Sequence, residues 1–85
     1  MRIICIWRDN EDYSRSVSEW IREFERRTGR EIENVSPDTR EGEGLCNAYD
    51  IVEYPTIMIL KEDGSVVASW RGRNLPLFDE VAYWA

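Results

Sequence analysis

Histidine is absent from these 85 residues. Its absence removes the commonest general base, the neutral-pH proton switch and the usual nitrogen ligand of zinc. Cysteine occurs only as Cys5 and Cys46, with no CxxC and no Cys/His cluster, so a zinc site fails on ligand count. A secreted domain this small usually carries several disulfides, and two cysteines make one at most. A cytoplasmic protein with two reduced thiols is therefore expected. Residues 1–7, MRIICIW, are too short and too β-like for the apolar stretch of a signal peptide, and no small-residue cleavage site follows. No apolar run approaches the ~20 residues that cross a bilayer, so no membrane partner is expected. Bases are also scarce: 11 against 17 acids leave a net charge of −6, which argues against nucleic acid as a partner. No cofactor motif is present. Asp9, Glu11, Asp12 and Glu53 have no spacing that resembles a calcium loop, so no metal is expected either.

What remains is a globular composition, 42% hydrophobic, 12% aromatic and 33% charged. Its length suits one domain, residues 1–85, burying roughly 60–65% of the surface its unfolded chain would expose.

Residues 2–7, RIICIW, carry apolar side chains on both faces, as a central strand covered on two sides requires. Asp9 to Asp12 then break the run and offer N-cap candidates, with negative charge where a helix dipole favours it. Tyr13, Val17, Trp20, Ile21 and Phe24 form one helical stripe, on a helix ending near Thr28 with Gly29 as its stop. A polar edge strand is read at Glu31–Val35, followed by a turn at Ser36-Pro37-Asp38. Gly42 and Gly44 loosen the start of a short helix, roughly Glu43 to Tyr49, whose Leu45, Ala48 and Tyr49 share a face. Thr56–Leu60 is a second apolar strand, and the turn Glu62-Asp63-Gly64 returns it through Ser65–Trp70 as a hairpin. Asn74-Leu75-Pro76 opens a last short helix with Leu77, Phe78, Val81 and Ala82 at helical spacing.

The order β-α-β-α-β-β-α predicts an α/β fold with a four-stranded mixed sheet and helices on both faces. Residues 2–7 and 56–60 should be central and antiparallel. The first and last helices should cover one face and the short helix the other. Several residues sharpen this into a resemblance. Ile6-Trp7 looks like the Phe-Trp that precedes the redox motif of thioredoxins. Tyr49-Asp50-Ile51 followed by Tyr54-Pro55-Thr56 resembles that family's Tyr-Gly-Ile … Ile-Pro-Thr. Lys61-Glu62-Asp63-Gly64 and Gly72 fall where it keeps a hairpin turn and a glycine. The chain thus resembles a compact thioredoxin-like domain without the extra N-terminal strand and helix. The resemblance implies that Pro55 is cis and that the backbone of Tyr54 offers hydrogen bonds to an extended substrate segment.

In the same ungapped register, Glu11, Asp12, Tyr13 and Ser14 stand where the family has Cys-x-x-Cys. Dithiol exchange needs an attacking thiolate and a second cysteine to release the mixed intermediate, and neither is present. Cys5 falls where thioredoxins carry a buried acid and reads as a small core hydrophobe. Cys46 has no cation near it in sequence to lower its pKa. Two functions stay open. One is a redox-inactive domain that binds a protein or extended peptide through Glu11, Asp12, Tyr13, Ser14, Tyr54 and Pro55, biased by its acids toward basic partners. The other is an atypical thiol–disulfide oxidoreductase or redox sensor using Cys46, Cys5 or both as a switched pair. Trp7, Trp70 and Trp84 are further candidates for surface anchors. Arg71 and Arg73 beside Trp70 form a basic-aromatic cluster too small to override the net charge. On the long helix, Glu19–Arg22 and Glu23–Arg27 have the spacing of surface ion pairs.

Overall fold

A computed structural model describes residues 1–85. Strands β1 (Arg2–Ile6), β2 (Glu33–Val35), β3 (Thr56–Leu60) and β4 (Val66–Arg71) and helices α1 (Ser14–Thr28), α2 (Arg40–Tyr49) and α3 (Phe78–Trp84) follow in the order β1-α1-β2-α2-β3-β4-α3. The sheet order is β2-β1-β3-β4. β1 runs parallel to β2 and antiparallel to β3, with Cys5 opposite Ile57 and Ile4 opposite Met58. The sheet is therefore mixed, with the two apolar strands at its centre.

Alternation along those strands makes two cores. Ile3, Cys5, Ile57 and Ile59 face α1 and α3, packing with Val17, Ile21, Phe24 and Val81. Ile4, Ile6, Met58 and Leu60 face the other way, where Leu45, Cys46 and Tyr49 of α2 close over them with Val35 and Ile51. The helices sit on the two faces as the sequence predicts. On α2, Leu45 and Tyr49 turn inward as read, joined by Cys46, while Ala48 is exposed. Trp20 is only half-buried. It stacks on Phe24 with ring centroids 5.2 Å apart, meets Phe78 edge-on, and donates its indole N–H to the Pro76 carbonyl at 2.9 Å, tying α1 to α3. Trp7 lies beyond the end of β1 and donates to the Asn34 side chain at 3.0 Å, and Trp70 leans on the first core. Of the three candidate anchors only Trp84 is exposed.

Helix starts differ most from the sequence reading. The N-cap of α1 is Tyr13, which makes no side-chain cap bond, and no acid lies in the first turn. Ser14 closes the preceding loop instead: its hydroxyl accepts from the Glu11 N–H at 2.9 Å and donates to the Arg8 carbonyl at 2.7 Å. Glu11 and Asp12 are thus displaced from capping by a serine whose two bonds run to main chain. α2 begins three residues before Glu43, capped by Thr39, whose hydroxyl accepts from the Gly42 N–H at 3.0 Å. Gly42 does not loosen this helix. A Cβ there would lie 1.8 Å from the Ser36 carbonyl oxygen, so only glycine lets α2 approach the turn after β2. β2 is shorter than read, because Glu25 of α1 takes the Ile32 N–H at 2.9 Å. On the outer face of α1, Glu19 pairs with Arg15 rather than Arg22, and Glu23 accepts from both Arg26 and Arg27.

Two predictions follow from this packing. Gly42→Ala should destabilise the protein sharply, because backbone and not a flexible side chain occupies the site. Gly44→Ala, with nothing within 4 Å, should stabilise by about 0.5–1 kcal/mol through the helix preference for alanine. Opposite shifts of the urea midpoint would show this. Phe24, fully buried, should cost about 3–5 kcal/mol on replacement by alanine, a large part of the ~5–10 kcal/mol available to so small a domain. Half-buried Trp20→Ala should cost less in the same titration.

Candidate functional site

The sheet register decides which loops meet. Ile6 pairs with both Val35 and Thr56, and Thr56 also pairs with Arg71. The segments that leave β1, β2 and β4 and the one that enters β3 therefore all emerge at one end of the sheet. They hold Arg8–Ser14, Ser36–Thr39, Glu53–Pro55 and Gly72–Arg73.

At their centre is Tyr54. The Tyr54–Pro55 peptide bond is cis. Pro55 is buried, its carbonyl accepting from the Gly72 N–H at 2.8 Å, and the Thr56 hydroxyl donates to the Glu53 carbonyl at 2.6 Å. Gly72 takes a φ of +96°, in the left-handed region that favours glycine. These bonds hold the residues on both sides of Tyr54. Its own N–H and C=O lie outside every strand and helix and bond to nothing in the chain.

Two arginines brace this ledge. The Arg8 guanidinium lies over the Tyr54 ring, 5.0 Å from its centroid, and makes paired bonds of 2.9 and 3.0 Å to the Asp38 carboxylate. The Arg8 N–H also donates to the Tyr13 hydroxyl at 3.0 Å. Arg73 repeats the pattern: it lies 5.6 Å from the centroid of Tyr13 and donates to Asp12 at 2.5 Å. Bonds to these arginines hold the Asp12 and Asp38 carboxyls below their ordinary range. What each pair adds to stability is present above the ordinary carboxyl pKa and is lost as pH falls through the lowered one. Arg71 is turned away, donating to the carbonyls of Asp50 and Tyr49. Arg71 and Arg73 therefore form no basic patch, because each is engaged separately.

The structure thus brings Asp12, Tyr13, Tyr54 and Pro55 together, with exposed Glu11 close enough to Arg73 to act on its charge. Ser14 belongs to the same loop as its brace. Sequence reasoning missed Arg8 and Asp38, and read Arg73 only as part of a basic-aromatic cluster. Their partners lie 30 or 61 positions away, beyond any local spacing signal. Asp9, Glu11 and Glu53 have no ionic partner within 4.0 Å, so the surface around Tyr54 carries surplus negative charge. The candidate acids do not gather into a group able to hold a metal ion.

The two thiols are separated by the sheet. Cys5 packs in the core under α1, and Cys46 packs with the core under α2. An internal disulfide between them would have to cross a layer of paired backbone, which corrects the expectation of a switched pair. Burial pushes the Cys5 thiol up to about 12. Cys46 is half-buried, its sulfur 3.6 Å from the Tyr54 hydroxyl, and this contact together with burial raises the phenol above its ordinary value. At about pH 8, a thiol reagent should titrate Cys46 and leave Cys5 unreacted until the chain is unfolded. Cys46→Ser should abolish the reaction of the folded protein. Fast labelling that survives this change would mean that Cys5 is accessible.

No helix is long and apolar enough to cross a membrane. No protein-family model and no curated protein matches the sequence. Solved structures do match. Thioredoxin 1 of Thermosipho africanus superposes with a TM-score of 0.70 at 18% identity, over 99% of this chain and 89% of its own. A structure described as that of a malarial protein gives 0.66 at 15% identity, covering 96% and 89%. A thioredoxin from Thermus thermophilus gives 0.63 at 16% identity, covering 96% of this chain and 68% of its own. The fold of this chain is thioredoxin-like.

Proposed function

We propose that this chain is a binding module of thioredoxin-like fold that takes an extended segment of a basic protein or peptide on the Tyr54 ledge and performs no dithiol exchange. The observation that carries the reading is the unpaired main chain of Tyr54. An N–H and a C=O held in place on both sides, with no partner of their own, can pair with one residue of an extended segment. Such pairing asks nothing of neighbouring side-chain chemistry. At the helix start beside it, Glu11-Asp12-Tyr13-Ser14 supplies carboxylates, a phenol and a hydroxyl, none able to exchange sulfur. Arg8 and Arg73 are neutralised by Asp38 and Asp12, while Asp9, Glu11 and Glu53 are unpaired, so the rim complements a cationic segment. Two thiols kept apart by the sheet fit a reducing, cytoplasmic setting.

One observation favours a second reading. Cys46 is the thiol in contact with the ledge, through the Tyr54 hydroxyl, and a one-cysteine exchange there would use the same surface.

A set of short extended peptides in which Lys or Arg alternates with apolar residues is a suitable probe, followed by amide NMR. Binding should move the Tyr54 amide and weaken with salt. Glu11→Lys and Glu53→Lys should each reduce affinity by roughly two- to fivefold, the range of an exposed charge pair. An unmoved Tyr54 amide, or equal affinity for acidic peptides, would refute this reading. Insulin reduction above the level of free cysteine that disappears in Cys46→Ser would establish the second reading instead.

A further inference from the structure

β4 is a terminal strand with no strand on its outer side. No side chain bonds to the main chain of residues 66–71, and their only main-chain partners are in β3. Open edges of this kind are templates for further strands. Proteins usually blunt them by shortness, by proline, or by lysine at the edge. The opposite edge, β2, has three residues, whereas β4 has six, VVASWR, without proline or lysine. One irregularity, opposite Ile59 and Leu60, is confined to its first residues, and pairing from Ala68 to Arg71 is regular.

We propose that β4 pairs antiparallel with β4 of a second copy about a two-fold axis, centred on Ser69, to give one continuous sheet across a dimer. Three features select this occupant and register. The strand runs from the turn Lys61-Glu62-Asp63 to Arg71, whose guanidinium bonds only the neutral carbonyls of Asp50 and Tyr49 and so keeps its charge. An antiparallel copy centred on Ser69 sets Arg71 against Val67 of its partner, whereas a parallel copy in register would set the two Arg71 side by side. This difference orients two chains whose net charge of −6 opposes association at long range. Residues opposite each other in an antiparallel pair share a face. A centre on Ser69 puts Ala68 opposite Trp70 twice, each small residue leaving room for the half-buried indole, on the face where their β3 partners Ile59 and Ile57 lie. The same centre sets the two exposed Ser69 side chains against each other on the other face, without burying a charge.

Sedimentation equilibrium over a range of concentrations should show a reversible shift toward twice the mass of one chain. Ser69→Lys opposes two ammonium groups at the axis and leaves an exposed position of the monomer unchanged in packing. It should weaken the dimer by about tenfold or more, with thermal unfolding at low concentration unaltered. Ser69→Cys in a Cys46→Ser background should cross-link into a covalent dimer with diamide. Directly opposed strand residues have Cα atoms about 4.5–5.5 Å apart, within disulfide reach of about 4.4–6.8 Å. A single-chain mass at every concentration would overturn the proposal and leave the edge to a foreign strand or to water. A dimer that survives Ser69→Lys and does not cross-link through Ser69→Cys would overturn it too, because the copies would then meet elsewhere. Neither result bears on peptide binding at Tyr54, which is read from a different main-chain segment.

Discussion

The antiparallel pairing of β1 with β3 sets Cys5 against Ile57 and Ile4 against Met58, and these two strands are buried on both faces from Ile3 to Ile6 and from Thr56 to Leu60. A strand covered on one side can slip by two residues and keep an apolar face. One packed on both sides against different helices has two sets of contacts that must agree. This agreement ties α1 and α3 to one core and α2 to the other. It also sets which loops meet at the site. Because Ile6 pairs with Thr56, the loop after β1 and the loop before β3 are forced to the same end of the sheet. Moving that register would pull Tyr13 away from Tyr54 before any side chain of the site changed.

The elements that were legible in the sequence are those whose signal is burial. RIICIW and TIMIL announce central strands because few other structures bury so many branched side chains in so short a run, and the Tyr13–Phe24 stripe announces a core-facing helix. The boundaries that misled are those decided by competition over a longer range. Asp12 looks like a helix cap locally, but Arg73, 61 positions on, takes its carboxylate. Gly42 reads as a flexible position because the reason for it, the Ser36 carbonyl, belongs to another element. Leu45 and Tyr49 turn inward as their spacing suggests, and Cys46 joins them in place of Ala48. The departure from Cys-x-x-Cys was plain in the sequence. The brace that occupies that end of the sheet was not, since Arg8 and Asp38 meet only once β1 and β2 are parallel neighbours.

That brace is better understood as geometry than as stability. Each of its ion pairs is exposed, and an exposed pair, screened by solvent, adds little to stability. What distinguishes Arg8 is the number of groups it holds at once. Its guanidinium takes both oxygens of Asp38 and lies over the Tyr54 ring, its N–H bonds Tyr13, and its carbonyl accepts from Ser14. Three loops are thereby fixed relative to one another by a residue that belongs to none of the cores. A planar guanidinium suits this work, offering an edge to a carboxylate and a face to a ring together, which an ammonium cannot do.

Such a brace explains how a thioredoxin-like end of a sheet can stay ordered with no Cys-x-x-Cys pair in it. In a dithiol enzyme the chemistry depends on side chains whose replacement ends the reaction. Pairing with an extended segment depends only on where a main-chain N–H and C=O point, and here that direction is set by Pro55 bonded to Gly72, by Thr56 bonded to Glu53, and by Arg8 on the Tyr54 ring. At the helix start Tyr13 and Asp12 anchor the two arginines. The same loop therefore helps to fix the geometry on which the proposed binding rests.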